Sequence, residues 1–306
     1  MDNNSTPPLV VIGTVAIDTI STPFGSNKEV FGGSGSYFSY AASFFAPVGL
    51  VAVVGQDFPD QYRQILKERP IDLSHLKTLT GSTFRWAGKY EGDMNSATTL
   101  QTDLNVLLDF KPELNYSGDV PFLFLANIDP DLQLAILDQC QAKKPKWIAC
   151  DTMNFWIQNK LPSLRKVLAR VHCVILNDGE ARSMTGESNL LRAAQKINEM
   201  GPDYVIIKKG EHGGILYHDK KIFVIPAYPL EEVFDPTGAG DSFAGAMMGY
   251  LASTGQATFE NVRKAMAYGT ITASFVVEQF GLERLRHLRR FEIEERLEIF
   301  KKISTI

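Results

Sequence analysis

Short, uninterrupted apolar runs recur along the chain, and helical patterns stand between them. Leu9–Ile12, ending at Gly13, and residues 50–54, ending at Gly55-Gln56-Asp57, contain apolar residues only. Residues 122–126, 147–150, 173–176 and 204–208 repeat the theme. A strand buried on both faces reads as a continuous apolar run, not as alternation. Residues 131–141, 161–170 and 190–200 carry apolar side chains at helical spacing between those runs. Strand–helix alternation of this kind predicts an α/β fold, a three-layer α/β/α sandwich around a central, mostly parallel sheet. Further helices are expected at residues 36–45, where Tyr37, Phe38, Tyr40, Ala41 and Phe44 are apolar, and at 59–68. Residues 215–218 and 222–225, parted by Asp219-Lys220-Lys221, predict a hairpin, and 239–253, 259–277 and 291–303 predict closing helices.

Two segments depart from this rhythm. Residues 15–31 mix Thr, Ser, Pro and Gly with apolar positions, and predict a strand, a turn around Gly25-Ser26-Asn27 and a return strand. Residues 83–108 read as exposed strands with one polar face, which is poor core material and good lid material. Trp86 on such a sheet calls for a substrate or a partner subunit to cover it. The expected organisation is one domain over residues 1–306, with a small β-sheet lid from about 14–31 and 83–108. Unpaired lid edges favour pairing with a second copy, hence a homodimer through the lid.

Composition narrows the picture only slightly. The net charge is −4 and no basic run exceeds two residues, which argues against nucleic acid as the main partner. The three cysteines are far apart and odd in number, as suits a reducing compartment, and they exclude a Cys-rich zinc site. The N-terminal residues Met1 to Pro8 are polar without a basic n-region, so no signal peptide is expected. No apolar run reaches membrane-spanning length, and a cytoplasmic location follows by default. Neither a P-loop nor a Gly-x-Gly-x-x-Gly fingerprint occurs, and residues 32–36 lack the last glycine of a nucleophile elbow.

The chemistry concentrates in Phe234-Asp235-Pro236-Thr237-Gly238-Ala239-Gly240-Asp241-Ser242-Phe243. Asp235-Pro236 closes the preceding element, because proline fixes its own φ and restricts its predecessor. Phe243, Ala246, Met247, Tyr250 and Leu251 then recur at helical spacing. The free N–H groups of that helix point into the glycine turn and make an anion site. A carboxylate at an anion site is unfavourable unless it has a task. The natural task for Asp241 is to take a proton from an alcohol that attacks a phosphoryl group held by the turn. The plainer alternative is a simple turn with Asp241 as helix cap.

This string resembles the signature of the ribokinase-like (PfkB) carbohydrate and nucleoside kinases, Asp-Thr-x-Gly-Ala-Gly-Asp-x-Phe, with Pro236 where many members have Thr. The resemblance implies that Asp241 is the catalytic base and that the amides of Gly238, Ala239, Gly240 and Asp241 form an anion hole. Thr237, Gly238 and Gly240 would lie against the nucleotide. Asn177-Asp178-Gly179-Glu180 resembles the family's Asn-x-x-Glu motif, which implies that Asn177 and Glu180 place Mg2+. A Glu beyond a strand's carboxyl end can hold that ion through water, and Asn177 or Asp178 could equally cap the following helix. Gly210 and Gly213 match a Gly-x-x-Gly turn beside the nucleotide, with Lys208 either reaching a phosphate or standing in solvent. Gly32-Gly33 resembles the family's di-glycine, a sugar-approach and lid-hinge element. Asp18 matches the acid that bonds acceptor hydroxyls, although it could be merely solvated. Residues 151–156 resemble an Asp-x-Asn stretch that brings Asn154 to the substrate. Phe155-Trp156 stand where sugar-acid members carry Arg, which argues against an anionic sugar acid. Residues 265–281 are similar to the family's closing helix, which in many members helps form a monovalent-cation site.

The resemblance thus implies an ATP-dependent, Mg2+-requiring kinase, with K+ as a further cofactor, acting on a primary hydroxyl of a ribose- or hexose-type sugar. A nucleoside kinase, with Phe or Trp stacked on a base, is the alternative within the class. A non-catalytic sugar or nucleotide sensor would be expected to have lost Asp241 or the glycines. A nicotinamide oxidoreductase is disfavoured by the missing dinucleotide fingerprint.

Overall fold

The computed structural model describes residues 6–304. The first five residues of the polar N-terminal segment lie outside them. In chain order the strands are β1 (Leu9–Ile12), β2 (Ala16–Thr22), β3 (Gly25–Gly32), β4 (Val48–Gly55), β5 (Ile71–Asp72), β6 (Leu76–Leu79), β7 (Phe84–Tyr90), β8 (Ala97–Asp103), β9 (Phe122–Leu125), β10 (Trp147–Asp151), β11 (Cys173–Asn177), β12 (Tyr204–Lys208), β13 (Gly214–His218) and β14 (Lys221–Ile225). The helices are α1 (Ser34–Ala42), α2 (Asp60–Lys67), α3 (Pro130–Lys143), α4 (Asn154–Asn159), α5 (Leu161–Leu168), α6 (Asp178–Thr185), α7 (Leu190–Asn198), α8 (Ala239–Thr254), α9 (Phe259–Val276), α10 (Glu283–His287) and α11 (Arg290–Ser304).

The large sheet runs β14-β13-β12-β11-β10-β9-β1-β4-β5, with β6 also paired to β4. It is parallel from β12 to β5 and antiparallel only where the β13–β14 hairpin is appended. Its central strands are buried on both faces, which is why they are apolar throughout. Leu9 and Val11 enter a core shared with Phe38, Met247 and Val262 of α1, α8 and α9. Val10 and Ile12 enter the opposite core with Ile136, Leu164 and Ala193 of α3, α5 and α7. The expected three layers are therefore present. Among the described residues no helix is long and apolar enough to cross a membrane.

The second sheet, β3-β2-β7-β8, is built from the two segments that broke the apolar rhythm. Its first turn falls at Pro23-Phe24, not around Gly25-Ser26-Asn27, which lie in β3. Proline pre-sets the turn backbone, and Phe24 N–H is held by Thr22 Oγ1 at 3.1 Å. Trp86 is covered from within its own sheet: the indole lies so close over Gly88 that a Cβ there would be 2.0 Å away, and Nε1 donates to Thr99 Oγ1 at 3.2 Å. The chain passes between the sheets at residues 13–15, 33, 80–83 and 104. These crossings lie in two pairs. Gly35 N–H, just past Gly33, donates to the Thr14 carbonyl at 2.8 Å. Asn105 Nδ2 donates to the Thr83 carbonyl at 2.9 Å, and Val106 N–H to that of Ser82 at 3.2 Å.

Candidate active site

The parallel register brings several strand ends to one edge of the large sheet, where open α/β sheets bind ligands. Asp151 closes β10, Asn177 closes β11 and Lys208 closes β12. The segment after β14 carries the glycine turn across that edge. Gly238 caps α8 at φ 75°, a left-handed conformation natural to glycine. The Tyr37 ring lies flat against it: a Cβ on Gly238 would stand 2.3–2.5 Å from Cδ1, Cγ and Cδ2. Ser242 N–H turns inward to the Gly238 carbonyl at 2.8 Å, and Ala239 N–H meets the Pro236 carbonyl at 3.2 Å. The N–H groups of Gly238, Gly240 and Asp241 have no acceptor among the described residues. These three are the open donors of the turn, at the positive end of a sixteen-residue helix, while the Ala239 amide that was expected to join them is taken by Pro236.

Asp241 lies in the first turn of α8, half-buried. Desolvation raises its pKa and the Lys208 ammonium opposes that rise. Lys208 Nζ would be 2.6 Å from a Cβ on Gly240, so the cation rests against the anion turn. Burial likewise raises Asp151 and Glu180, and Lys208 opposes both rises. The charge of one ammonium thus opposes the rise at all three carboxyl groups. Asp151 Oδ1 and the neighbouring Thr152 Oγ1 are buried without hydrogen-bond partners.

Asn177 and Glu180 form a reciprocal capping box at the start of α6. Asn177 Oδ1 accepts from Glu180 N–H at 2.8 Å, and Glu180 Oε2 accepts from Asn177 N–H at 2.7 Å. The cap occupies Oε2 alone, so capping and ion binding are compatible in one side chain. Among the described residues no cluster of three or more His, Cys, Asp or Glu could hold a metal directly. Open backbone donors, an ammonium and under-partnered carboxylates suit a phosphate chain with Mg2+ held through water.

Asp18 is buried, and its Oδ1 has no partner. Desolvation raises its pKa to about 8 against the opposing Gly33 N–H. The space left by the absent Cβ of Gly32 is filled by this carboxylate, with Oδ2 at 1.9 Å from the Cβ position. Gly33 (φ 95°) crowds the Thr14 carbonyl. The di-glycine therefore seats Asp18 and a crossing between the sheets. Gly210 is covered by Asn95 from the β7–β8 turn, and Gly213 abuts the Ile225 carbonyl. Thr237 N–H is taken by Asp235 Oδ1 at 2.9 Å, and Thr237 Oγ1 donates to the Tyr90 hydroxyl at 3.4 Å. Asn154 opens α4, exposed. Beside it Trp156 Nε1 donates to Asn127 Oδ1 at 2.9 Å, and Phe155 is 53% exposed.

Sequence reasoning missed Tyr37, Tyr90 and Asn127 at this site, and it placed Asp151 in the Asp-x-Asn stretch without a role of its own. Tyr37 fitted a core-facing helical stripe, which says nothing of where its hydroxyl ends. Asp151 closes an apolar run, the one position from which its burial was foreseeable.

Residues 7–286 match the model of the pfkB family carbohydrate kinases. The cytidine kinase of Thermococcus kodakarensis is 32% identical over 276 residues, covering 89% of this chain and 97% of that protein. The Burkholderia thailandensis nucleoside kinase, solved with inosine, superposes with TM-score 0.79 at 18% identity, covering 95% of this chain and 98% of that one. An E. coli protein assigned provisionally as a ribokinase II, solved with ATP and Mg2+, has TM-score 0.78 at 20% identity, covering 95% and 99%. At these identities the two structures speak to fold alone.

Proposed function

This chain belongs to the pfkB family of carbohydrate kinases, and from that premise we propose that it moves the γ-phosphoryl group of ATP to the primary hydroxyl of a ribose- or hexose-type acceptor. That it is an ATP-dependent phosphotransferase with an alcohol acceptor follows from the family. The finer reading is carried by one observation: Asp241 shares the first turn of α8 with the open N–H groups of Gly240 and Asp241, and Lys208 lies against that turn.

Phosphoryl transfer asks mainly for positioning and charge stabilisation. The open amides and Lys208 receive the transferring oxygens. Gly238 adds its own open amide, and Ala239 shapes the turn that aims them. Asp241 accepts the hydroxyl proton as the acceptor oxygen bonds to phosphorus and the bond to the ADP oxygen breaks. Asp18 orients the acceptor through a second hydroxyl. Glu180, steadied by Asn177, would hold Mg2+ through water, and that ion supplies charge neutralisation on the phosphates. Gly210 and Gly213 shape the nucleotide side, and β2, β3, β7 and β8 form the lid that excludes water.

A nucleoside acceptor is the second reading. It is favoured by the cytidine kinase relative and by Phe155, an exposed aromatic beside the Trp156–Asn127 pair. Coupled ADP release against ribose, hexoses and nucleosides decides between them, and no acceptor-dependent release would reject both. Replacing K+ in that assay with a bulky organic cation tests the monovalent-ion requirement. The lid edges β3 and β8, with Leu100 63% exposed, support a homodimer, which sedimentation of a monomer at working concentration would reject.

A further inference from the structure

Asp18 is buried, so an acceptor reaches it only when the small sheet lifts. That lift has a consequence on the nucleotide side. The β7–β8 turn is packed onto its sheet as one body: Met94, at φ 61°, buries its side chain with Ile20 of β2 and Tyr90 of β7. Asp93 Oδ1 accepts from Asn95 N–H at 3.1 Å and fixes the tip. The tip comes down on Gly210, where a Cβ would stand 2.0 Å from Asn95 Oδ1 and 3.0 Å from its Cγ. Glycine at 210 is what admits the contact. Gly210 opens the short turn after β12, and that turn is closed on itself: Gly213 N–H donates to the Gly210 carbonyl at 3.1 Å, and Lys209 N–H to the Gly213 carbonyl at 2.7 Å. Lys208, two residues before Gly210, rests its Nζ against Gly240. Contacts therefore run from the tip through the Gly210 turn and Lys208 to the anion turn. Tyr90 makes a second link from the same sheet, its hydroxyl accepting from Thr237 Oγ1 at 3.4 Å. A lift of the sheet parts both.

Asn95 and Gly210 are both exposed, and a contact between exposed residues adds little to stability. What it adds is position. We infer that Asn95 is a positioning residue that couples the two substrate sites through Gly210. Acceptor held under the small sheet keeps Asn95 on Gly210 and so steadies Lys208 at the anion turn. Nucleotide held at that turn keeps in place the seat on which the sheet closes. This rests on the kinase reading above and deepens it: acceptor and nucleotide tighten each other's binding, by one and the same factor.

The test is calorimetric binding of D-ribose, D-fructose and cytidine to wild type and Asn95→Ala, each with and without ADP and Mg2+. ADP release from ATP is measured in parallel. In wild type, ADP should tighten at least one of these acceptors by about 5- to 150-fold. Asn95→Ala should cut that factor by about 2- to 30-fold. Its affinity for acceptor alone and for ADP alone should stay within about twofold of wild type, and its unfolding temperature should not change. Gly210→Ala, whose Cβ overlaps the Asn95 seat, should cut the factor too, and adding it to Asn95→Ala should cut it no further. Wild type without coupling overturns the inference and leaves phosphoryl transfer standing. Equal coupling in wild type and Asn95→Ala overturns it, as do losses that add in the double variant. A fall in both separate affinities together with a lower unfolding temperature marks a structural role and overturns it as well. Coupled binding in wild type without ADP release rejects phosphoryl transfer and leaves the Asn95 comparison readable. Wild type that binds none of the acceptors overturns the inference.

Discussion

Lys208 and Gly240 touch: the ammonium of β12 rests where a side chain on the second residue of α8 would have to begin. The contact joins the strand edge to the anion turn and places a positive charge beside Asp241. Lys208→Met should therefore raise the pKa of Asp241 further, since the opposing charge is gone. The acid limb of the kcat profile should move to higher pH, with a weaker KM for ATP. An acid limb that stays in place would detach Lys208 from the base.

Asp241→Asn should lower kcat by about two to four powers of ten, the usual effect of losing a positioned base. Nucleotide affinity should hold or improve, because a negative charge leaves the phosphate site. Titration calorimetry with ATP, beside the coupled assay, checks both halves.

Gly238→Ala puts a Cβ at a left-handed φ and into the Tyr37 ring. The strain and the overpacking together should destabilise by about 2–5 kcal/mol. Denaturant titration reads the loss, and turnover should fall with it because the amides of the turn lose their aim.

Asp18 gives the unliganded protein a pH signature. Its folded pKa of about 8 stands above the ordinary 3.8, so the folded state holds a proton that the unfolded chain has released. That stability is complete below about pH 4 and is lost as pH rises through 8. Burial raises Asp151, Glu180 and Asp241 in the same sense. Asp18→Asn should flatten the fall in thermal midpoint between pH 5 and 8 and exceed wild type at the upper end. A parallel slope in the variant would assign the effect to the other acids.

The large sheet was legible because its strands are buried twice over, and a short, wholly apolar run between turn residues fits little besides such a strand. β5 and β6 were not: the first has two residues, and the second carries Lys77 and Thr78. The turn at Pro23-Phe24 escaped because Gly25-Ser26-Asn27 spells a turn equally well, and only pairing with β2 puts those residues in a strand. At the site, the glycine turn, Asn177, Glu180 and Lys208 could be read from short fixed spacings. Tyr37 and Tyr90 could not, because they reach the site through tertiary packing from a helix and a strand with no motif of their own. Gly32 was legible as a position but not in its reason, which is the carboxylate lodged against it.

The small sheet is tethered by two stitched pairs of crossings, one at Thr14 and Gly33, the other at Thr83 and Asn105. A body held at two separated points turns freely only about the line through them. Any swing of these strands is thereby reduced to a single pivot axis. Asp18 lies only four residues beyond one anchor, while Asn95, in the β7–β8 turn, reaches across to Gly210.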